Sequence, residues 1–254
     1  MTGIWEGMSP ILCVAPHPDD AELCAGGLLL LARQAGHEIV VVDCTRGEMG
    51  TRGSVAERKK ESAQADRLLG TKARLNLALP DGHLHDDERL KVALVRALRK
   101  FRPQVVLFPH WEDKHPDHAA VGRAAEAVAW LCGAPKFDPK SARGIASKDR
   151  PPYRPDLILY YNNRYGIEPD LVVDITPVFA RKAQLVECYA TQFGPRVKNS
   201  KHTPQTLLST QGFLDWFRSQ HAHYGFKIGA PYGEAYCVKG PLSVREVSAL
   251  LSPV

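Results

Sequence analysis

Short apolar runs alternate with longer amphipathic stretches through the first half of the chain. Ile11-Leu12-Cys13-Val14, residues 37–45 around Ile39-Val40-Val41-Val42, residues 74–79, and Val105-Val106-Leu107-Phe108 each read as a strand, and β-branched residues dominate the second run. Between them the apolar spacing turns helical. Residues 28–35 continue a helix that stops at Gly36, Ser54-x-x-Glu57 is a capping box opening a helix that ends at Gly70, and residues 86–102 bury Leu90, Leu94, Val95 and Leu98 before Pro103. A further helix is predicted over residues 119–131. This alternation predicts an α/β fold: a doubly wound, mostly parallel, Rossmann-like sheet with helices on both faces and its strand-to-helix loops on one edge.

The second half is less regular. Residues 135–155 are rich in proline, lysine, arginine and serine without a period, and are read as a surface loop and a candidate lid. Strands follow at Leu157-Ile158-Leu159-Tyr160-Tyr161 and Leu171-Val172-Val173-Asp174-Ile175, then helical patterns over 178–191 and 206–223, and a terminal segment of glycine, proline and tyrosine. No repeat or boundary divides the chain, so residues 1–254 are read as one domain.

Charge and cysteine usage narrow the setting. The net charge of +5 comes from basic residues dispersed among acids, not from the basic and aromatic clusters of a nucleic-acid binder. No apolar run approaches the roughly 20 residues of a membrane helix, and the first residues lack a basic-plus-apolar leader pattern. The six cysteines are scattered, without a C-x-x-C pair, as in a reducing compartment. A cytoplasmic protein with neither nucleic-acid nor membrane partner is expected.

Two polar corners stand out against this ordinary background. His17-Pro18-Asp19-Asp20-Ala21-Glu22 follows the first strand, and His110-Trp111-Glu112-Asp113-Lys114-His115-Pro116-Asp117-His118 follows the fourth. Asp19 and Asp20 alone would more often cap the next helix, and His17 alone would be a loop histidine. If the two strands are neighbours, however, His17, Asp20 and one later histidine converge on one divalent ion with a position open for water. Asp19, next to a ligand carboxylate, is then the candidate general base. His110 lies close enough to the strand end to be a further ligand.

The pair His17-Pro18-Asp19-Asp20-Ala21-Glu22 and His115-Pro116-Asp117-His118 resembles the signature of the LmbE-like, or PIG-L, family of zinc-dependent N-deacetylases. Thr45-Arg46-Gly47-Glu48, Leu79-Pro80-Asp81-Gly82 and Gly229-Ala230-Pro231-Tyr232-Gly233-Glu234-Ala235-Tyr236 resemble, more softly, its bacillithiol-biosynthesis branch, the N-acetylglucosaminyl-malate deacetylases. The resemblance implies zinc, with Fe²⁺ or another divalent ion as an alternative, on His17, Asp20 and His118, and Asp19 as base. It implies His115 as the group that stabilises the oxyanion, with Asp117 holding and charging its ring. Arg58 would pair with a malate-like carboxylate, Glu48 and Asp81 would accept sugar hydroxyls, and Tyr232, Glu234 and Tyr236 would wall the pocket or join a subunit contact. Trp111 is a further candidate wall.

The expected reaction is hydrolysis of the N-acetyl group of a small amino-sugar conjugate, N-acetylglucosaminyl-malate first, by a homo-oligomer for which the branch suggests a hexamer. The alternatives are the same chemistry on another N-acetylated sugar or thiol conjugate, and a non-catalytic sugar- or nucleotide-binding module. The module is disfavoured because the first turn holds His-Pro-Asp-Asp in place of G-x-G-x-x-G.

Overall fold

The computed structural model describes residues 10–137, 152–161, 167–194 and 204–242. The candidate lid therefore falls for the most part, over residues 138–151, outside the described residues. Among the described residues seven strands form one sheet in the order β3-β2-β1-β4-β5-β7-β6. They are β1 (Ile11–Ala15), β2 (Ile39–Asp43), β3 (Ala73–Asn76), β4 (Val105–Pro109), β5 (Leu157–Tyr161), β6 (Leu171–Asp174) and β7 (Gly233–Cys237). The first five pair in parallel, whereas β7 is antiparallel to both β5 and β6.

Alternation along each strand divides the apolar residues between two cores. Ile11, Cys13 and Ala15 of β1 enter one with Ile39 and Val41, and Leu12 and Val14 enter the other with Val40, Val42 and Phe108. The first is covered by α1 (Asp20–Gln34), α2 (Val55–Leu69), α5 (Phe179–Glu187), α6 (Ala190–Phe193) and α7 (Gln211–Lys227). The second is covered by α3 (Glu88–Phe101) and α4 (Pro116–Cys132). Helices on both faces of a largely parallel sheet are the architecture that the alternation predicts. Among the described residues no helix is long and apolar enough to cross a membrane.

The chain runs outward from β1 through β2 to β3, then returns to β4 on the other side of β1. That reversal opens a crevice beyond the carboxyl ends of β1 and β4, the place where open α/β sheets bind ligands. Both polar corners lie there.

Some boundaries follow the sequence reading and others differ. α1 starts at Asp20 and runs through Gly26-Gly27, and the capping box is present, with the Ser54 hydroxyl accepting from Glu57 N and the Glu57 carboxylate accepting from Ser54 N at 2.8 Å. β3 stops at Asn76, the helical pattern at 178–191 breaks into α5 and α6, and that at 206–223 becomes a short turn, Leu207–Ser209, before α7. The Gly/Pro/Tyr terminal segment is in part a buried strand, β7, inserted between β5 and β6. Glycine punctuation concealed this strand, which its two antiparallel neighbours impose.

Gly27 is dictated by packing. A Cβ there would lie 2.5 Å from Ile175 Cγ2 and 3.0 Å from Glu234 Oε1. Gly27→Ala is therefore expected to destabilise the fold by about 1–3 kcal/mol in urea denaturation, the usual result of overpacking a closed core.

Candidate metal centre and active site

The loop after β1 is held before any ligand is considered. Cys44 N donates to Ala15 O at 2.7 Å and Thr45 N to Pro16 O at 3.0 Å, so the ends of β1 and β2 are zipped together as the chain enters His17. Asp19 is the N-cap of α1 with φ +114 and ψ −27, and its side chain makes no capping bond. The Asp20 carboxylate accepts from His17 N at 2.9 Å. Neither aspartate serves as an ordinary helix cap.

Three donor atoms meet at the crevice. His17 Nδ1 lies 3.2 Å from Asp20 Oδ2, His118 Nε2 lies 3.2 Å from the same oxygen, and the two ring nitrogens are 3.3 Å apart. Ligands about 2.0 Å from a tetrahedral zinc are separated by about 3.3 Å, so this triangle has the edge length of one face of such a site. The donor set, two imidazoles and a carboxylate, fits a divalent cation.

The outer atoms of both rings face carboxylates. His17 Nε2 is 3.0 Å from Asp81 Oδ1 and 3.2 Å from Asp117 Oδ2. His118 Nδ1 is 3.4 Å from Asp113 Oδ2. The hydrogen bond to Asp117 and the nearby Asp81 favour the tautomer that leaves His17 Nδ1 facing the triangle, whereas Asp113 lies beside His118 Nδ1 as a counter-charge without a hydrogen bond to it. Burial pulls the His17 pKa down, but Asp117, Asp20 and Asp81 outweigh it and push it up to about 12. For His118, burial is likewise outweighed by Asp20 and Asp113, and the value rises to about 9. The histidines hold Asp20 well below the usual carboxylate range against its own burial. The carboxylates around the two rings make this a pocket that favours positive charge.

Asp19 sits beside the triangle. Burial raises its pKa to about 7, and Arg58 is the chief opposing influence. Arg58 Nη2 donates to Asp19 Oδ2 at 2.8 Å and also to Pro18 O, while Nη1 reaches Gly47 O. Arg58 is thus buried and engaged with Asp19, where the sequence reading had it gripping a substrate carboxylate. Arg58→Met should leave zinc content near the wild-type level and shift the acid limb of the pH–activity profile upward by one unit or more, because it removes the cation that favours the Asp19 carboxylate. A titration of kcat/KM against pH checks this.

The expected side-chain pairing of Asp117 with His115 is not made. His115 is the N-cap of α4 and its Nδ1 accepts from Asp117 N at 3.3 Å. The Asp117 carboxylate leaves that ring alone and accepts from Gly82 N at 2.8 Å, Leu84 N at 3.1 Å and His17 Nε2. Asp117 therefore hydrogen-bonds and positions His17, and its pull toward a charged His115 is outweighed. The His115 pKa is lowered, first by burial and then by His118 and His17. With Nδ1 accepting, neutral His115 carries its proton on Nε2 as a donor. Its ring centroid lies 4.7 Å from that of His17 and 5.0 Å from that of His118.

Of the other residues read from the sequence, Glu48 and Asp81 lie at the crevice but are tied to each other's loops. Glu48 Oε1 accepts from Asp81 N at 3.1 Å, and Asp81 Oδ2 accepts from Met49 N at 2.8 Å. Glu48 stays exposed at the rim, whereas Asp81 is spent on His17. Tyr232 and Glu234 make their contacts away from the triangle. Tyr232 stacks on Phe179 with ring centroids 3.7 Å apart. The buried Glu234 binds Gly27 N, Leu28 N, Lys182 Nζ and the Tyr236 hydroxyl, all within 2.9 Å, in the core beneath α1. Trp111 stacks on His110 at 3.9 Å, and His110 Nδ1 accepts from Glu112 N, outside the triangle. Sequence reasoning missed Asp113, whose one signal was its place in the same loop as His118.

A family model described as GlcNAc-PI de-N-acetylase, PIG-L, matches residues 12–129, the stretch from β1 into α4 that carries both corners. The diacetylchitobiose deacetylase of Thermococcus kodakarensis is 30% identical over 193 residues, which cover 72% of this chain and 70% of that protein. The chain belongs to the PIG-L family of N-deacetylases. Other relatives of this deacetylase include a probable N-acetyl-α-D-glucosaminyl L-malate deacetylase of Bacillus anthracis, 27% identical over 75% of this chain and 84% of that one. A crystal structure of a conserved protein of Thermus thermophilus superposes on it with a TM-score of 0.79 at 33% identity, covering 93% of this chain and 97% of that one.

Proposed function

We propose that this deacetylase is zinc-dependent and removes the acetyl group from an N-acetylglucosamine conjugate, with residues 1–254 as one deacetylase domain. The observation that carries the reading is the triangle of His17 Nδ1, Asp20 Oδ2 and His118 Nε2, with edges of 3.2, 3.2 and 3.3 Å. These three residues would hold the ion, which would supply Lewis acidity toward water and toward an amide carbonyl. Asp19, poised near neutrality and steadied by Arg58, takes the proton of the attacking water and returns it to the departing amine nitrogen. His115 donates a hydrogen bond from Nε2 to the carbonyl oxygen as negative charge gathers there. Asp117 and Asp81 hold His17, and Asp113 places a negative charge beside His118. Fe²⁺ suits the same ligands.

For the conjugate, N-acetylglucosaminyl-malate is the first reading, supported by the malate deacetylase relatives. A second reading, an N-acetylated chitobiose-type sugar, is favoured by the engagement of Arg58 with Asp19, which withdraws the guanidinium expected at a malate carboxylate, and by the Thermococcus relative. The test is acetate release from N-acetylglucosaminyl-malate, diacetylchitobiose and N-acetylglucosamine, with zinc content measured on the same samples. About one zinc per chain and a preference for the malate conjugate supports the first reading, and preference for chitobiose the second. Metal-free protein with full activity overturns both. The reading also carries a homo-oligomer, checked by light scattering, and a reducing compartment such as the cytoplasm, in keeping with six unpaired cysteines.

A further inference from the structure

The reaction above leaves Glu22 and Arg74 without a role, although they form a densely charged group next to the site. Arg74, from β3, meets Asp43 fork to fork, with Nε–Oδ2 and Nη2–Oδ1 both at 2.7 Å. Its Nη1 reaches Glu22 Oε1 at 2.7 Å and Asp66 Oδ1 at 3.3 Å. Glu22 is fully buried, and its second oxygen, Oε2, has no hydrogen-bond partner.

Each partner of this guanidinium leads to the metal loop. Glu22 lies in the first turn of α1, two residues after Asp20. Asp43 ends β2, and the next two residues, Cys44 and Thr45, bond to Ala15 O and Pro16 O on the approach to His17. Asp66 belongs to α2, which also carries Arg58, the partner of Asp19. One planar side chain thus joins β2, β3, α1 and α2 beside the ligands.

As a source of stability the arrangement is poor. Three carboxylates share one buried cation, one oxygen is unpaired, and buried ion pairs repay little of their desolvation in any case. As a geometric constraint it is strong, because a bidentate fork fixes angles as well as distance. A constraint is needed at this point. Asp19 holds a left-handed φ of +114, and no side-chain cap secures the start of α1. Strained residues persist where their surroundings over-determine them.

We propose that the Glu22–Arg74 pair is a positioning clamp that fixes the first turn of α1, and with it the Asp19 and Asp20 carboxylates, in the geometry that binds metal. This inference rests on the metal-centre reading of the proposed function. The test uses the full chain as wild type, Arg74→Lys, which keeps the charge and loses the fork, and Glu22→Gln, which keeps the shape and loses the charge. Zinc affinity is measured by chelator competition, ligand geometry by the visible spectrum of the Co²⁺-substituted protein, and the fold by circular dichroism and melting of the metal-free form. The clamp predicts native-like dichroism, zinc affinity lowered about 10–100-fold, as for outer partners of metal ligands, a shifted cobalt spectrum, and a kcat loss with little change in KM. Wild-type zinc affinity and cobalt spectrum in both variants, with only the melting temperature lowered, overturns the clamp and leaves the metal centre intact. Wild-type protein that binds no metal overturns the metal centre and the clamp with it. Should either variant fail to fold, Glu22→Asp, which keeps the charge and draws it one methylene short of Arg74, takes its place. Lowered zinc affinity supports the clamp there, and wild-type affinity overturns it.

Discussion

Asp19→Asn is expected to keep its full complement of zinc and to lose about 10²–10⁴-fold in kcat, the range that a positioned general base contributes. Asp19 is not one of the three atoms of the ligand triangle, and the substitution conserves its shape, so the loop and α1 should survive it. Arg58, 2.8 Å away, can still donate to the amide oxygen. What is lost is the ability to accept the proton of water. The same residue sets the sign of the pH dependence. Burial raises its pKa to about 7, and the base form is the deprotonated one, so activity rises with pH through a limb at or below about 7, since a bound cation favours the carboxylate. The asparagine variant should show no such limb in its residual activity. Zinc analysis with a pH series of kcat/KM checks both statements, and retained activity in a zinc-loaded Asp19→Asn protein would remove Asp19 from the mechanism.

His118→Ala is expected to have the second large effect, of a different kind. It removes one corner of the triangle and leaves Asp20 and His17 as the only two ligands of the set, too few for a stable mononuclear site. Zinc content should fall from about one per chain to trace levels, with activity at background. Because His118 is buried in α4 with Asp20 and Asp113 against its two nitrogens, the variant also leaves a cavity and takes a counter-charge from both carboxylates, and a lower melting temperature is expected. Chelation of the wild-type protein separates the two effects. It should abolish activity reversibly, with zinc restoring the wild type and not the variant. Loading should also improve as pH rises, because His17 and His118 must lose protons to become ligands and both pKa values are raised in the metal-free protein.

The contrast between Arg58 and Asp117 shows where reading along the chain reaches its limit. Both lie at the site, and each makes a contact that the sequence does not name. Arg58 is forty residues from Pro18 in sequence, and only the packing of α2 against the β1 loop decides that it meets Asp19. Asp117 is two residues from His115, and proximity suggested a pair. The start of α4 instead turns His115 back onto the Asp117 amide, which frees the carboxylate for the loop after β3 and for His17, one hundred residues away. Glu234 carries the same lesson. It belongs to a recognisable motif, yet β7 carries it into the core, where it binds the amides of Gly27 and Leu28.

By itself the sequence determined what local chemistry can determine. The strand and helix periods, the Ser54 capping box and the glycine stops define the alternating α/β order, because these depend on residues within a turn or two of each other. The two polar corners declared the ligand types for the same reason. Tertiary structure alone decided that β1 and β4 are neighbours, which brings the corners within 3.3 Å, and that β7 inserts antiparallel between β5 and β6. It alone decided which carboxylate holds which ring. Those outcomes depend on contacts between residues far apart in the chain, where a choice of partner is settled by packing and burial, which no local pattern encodes.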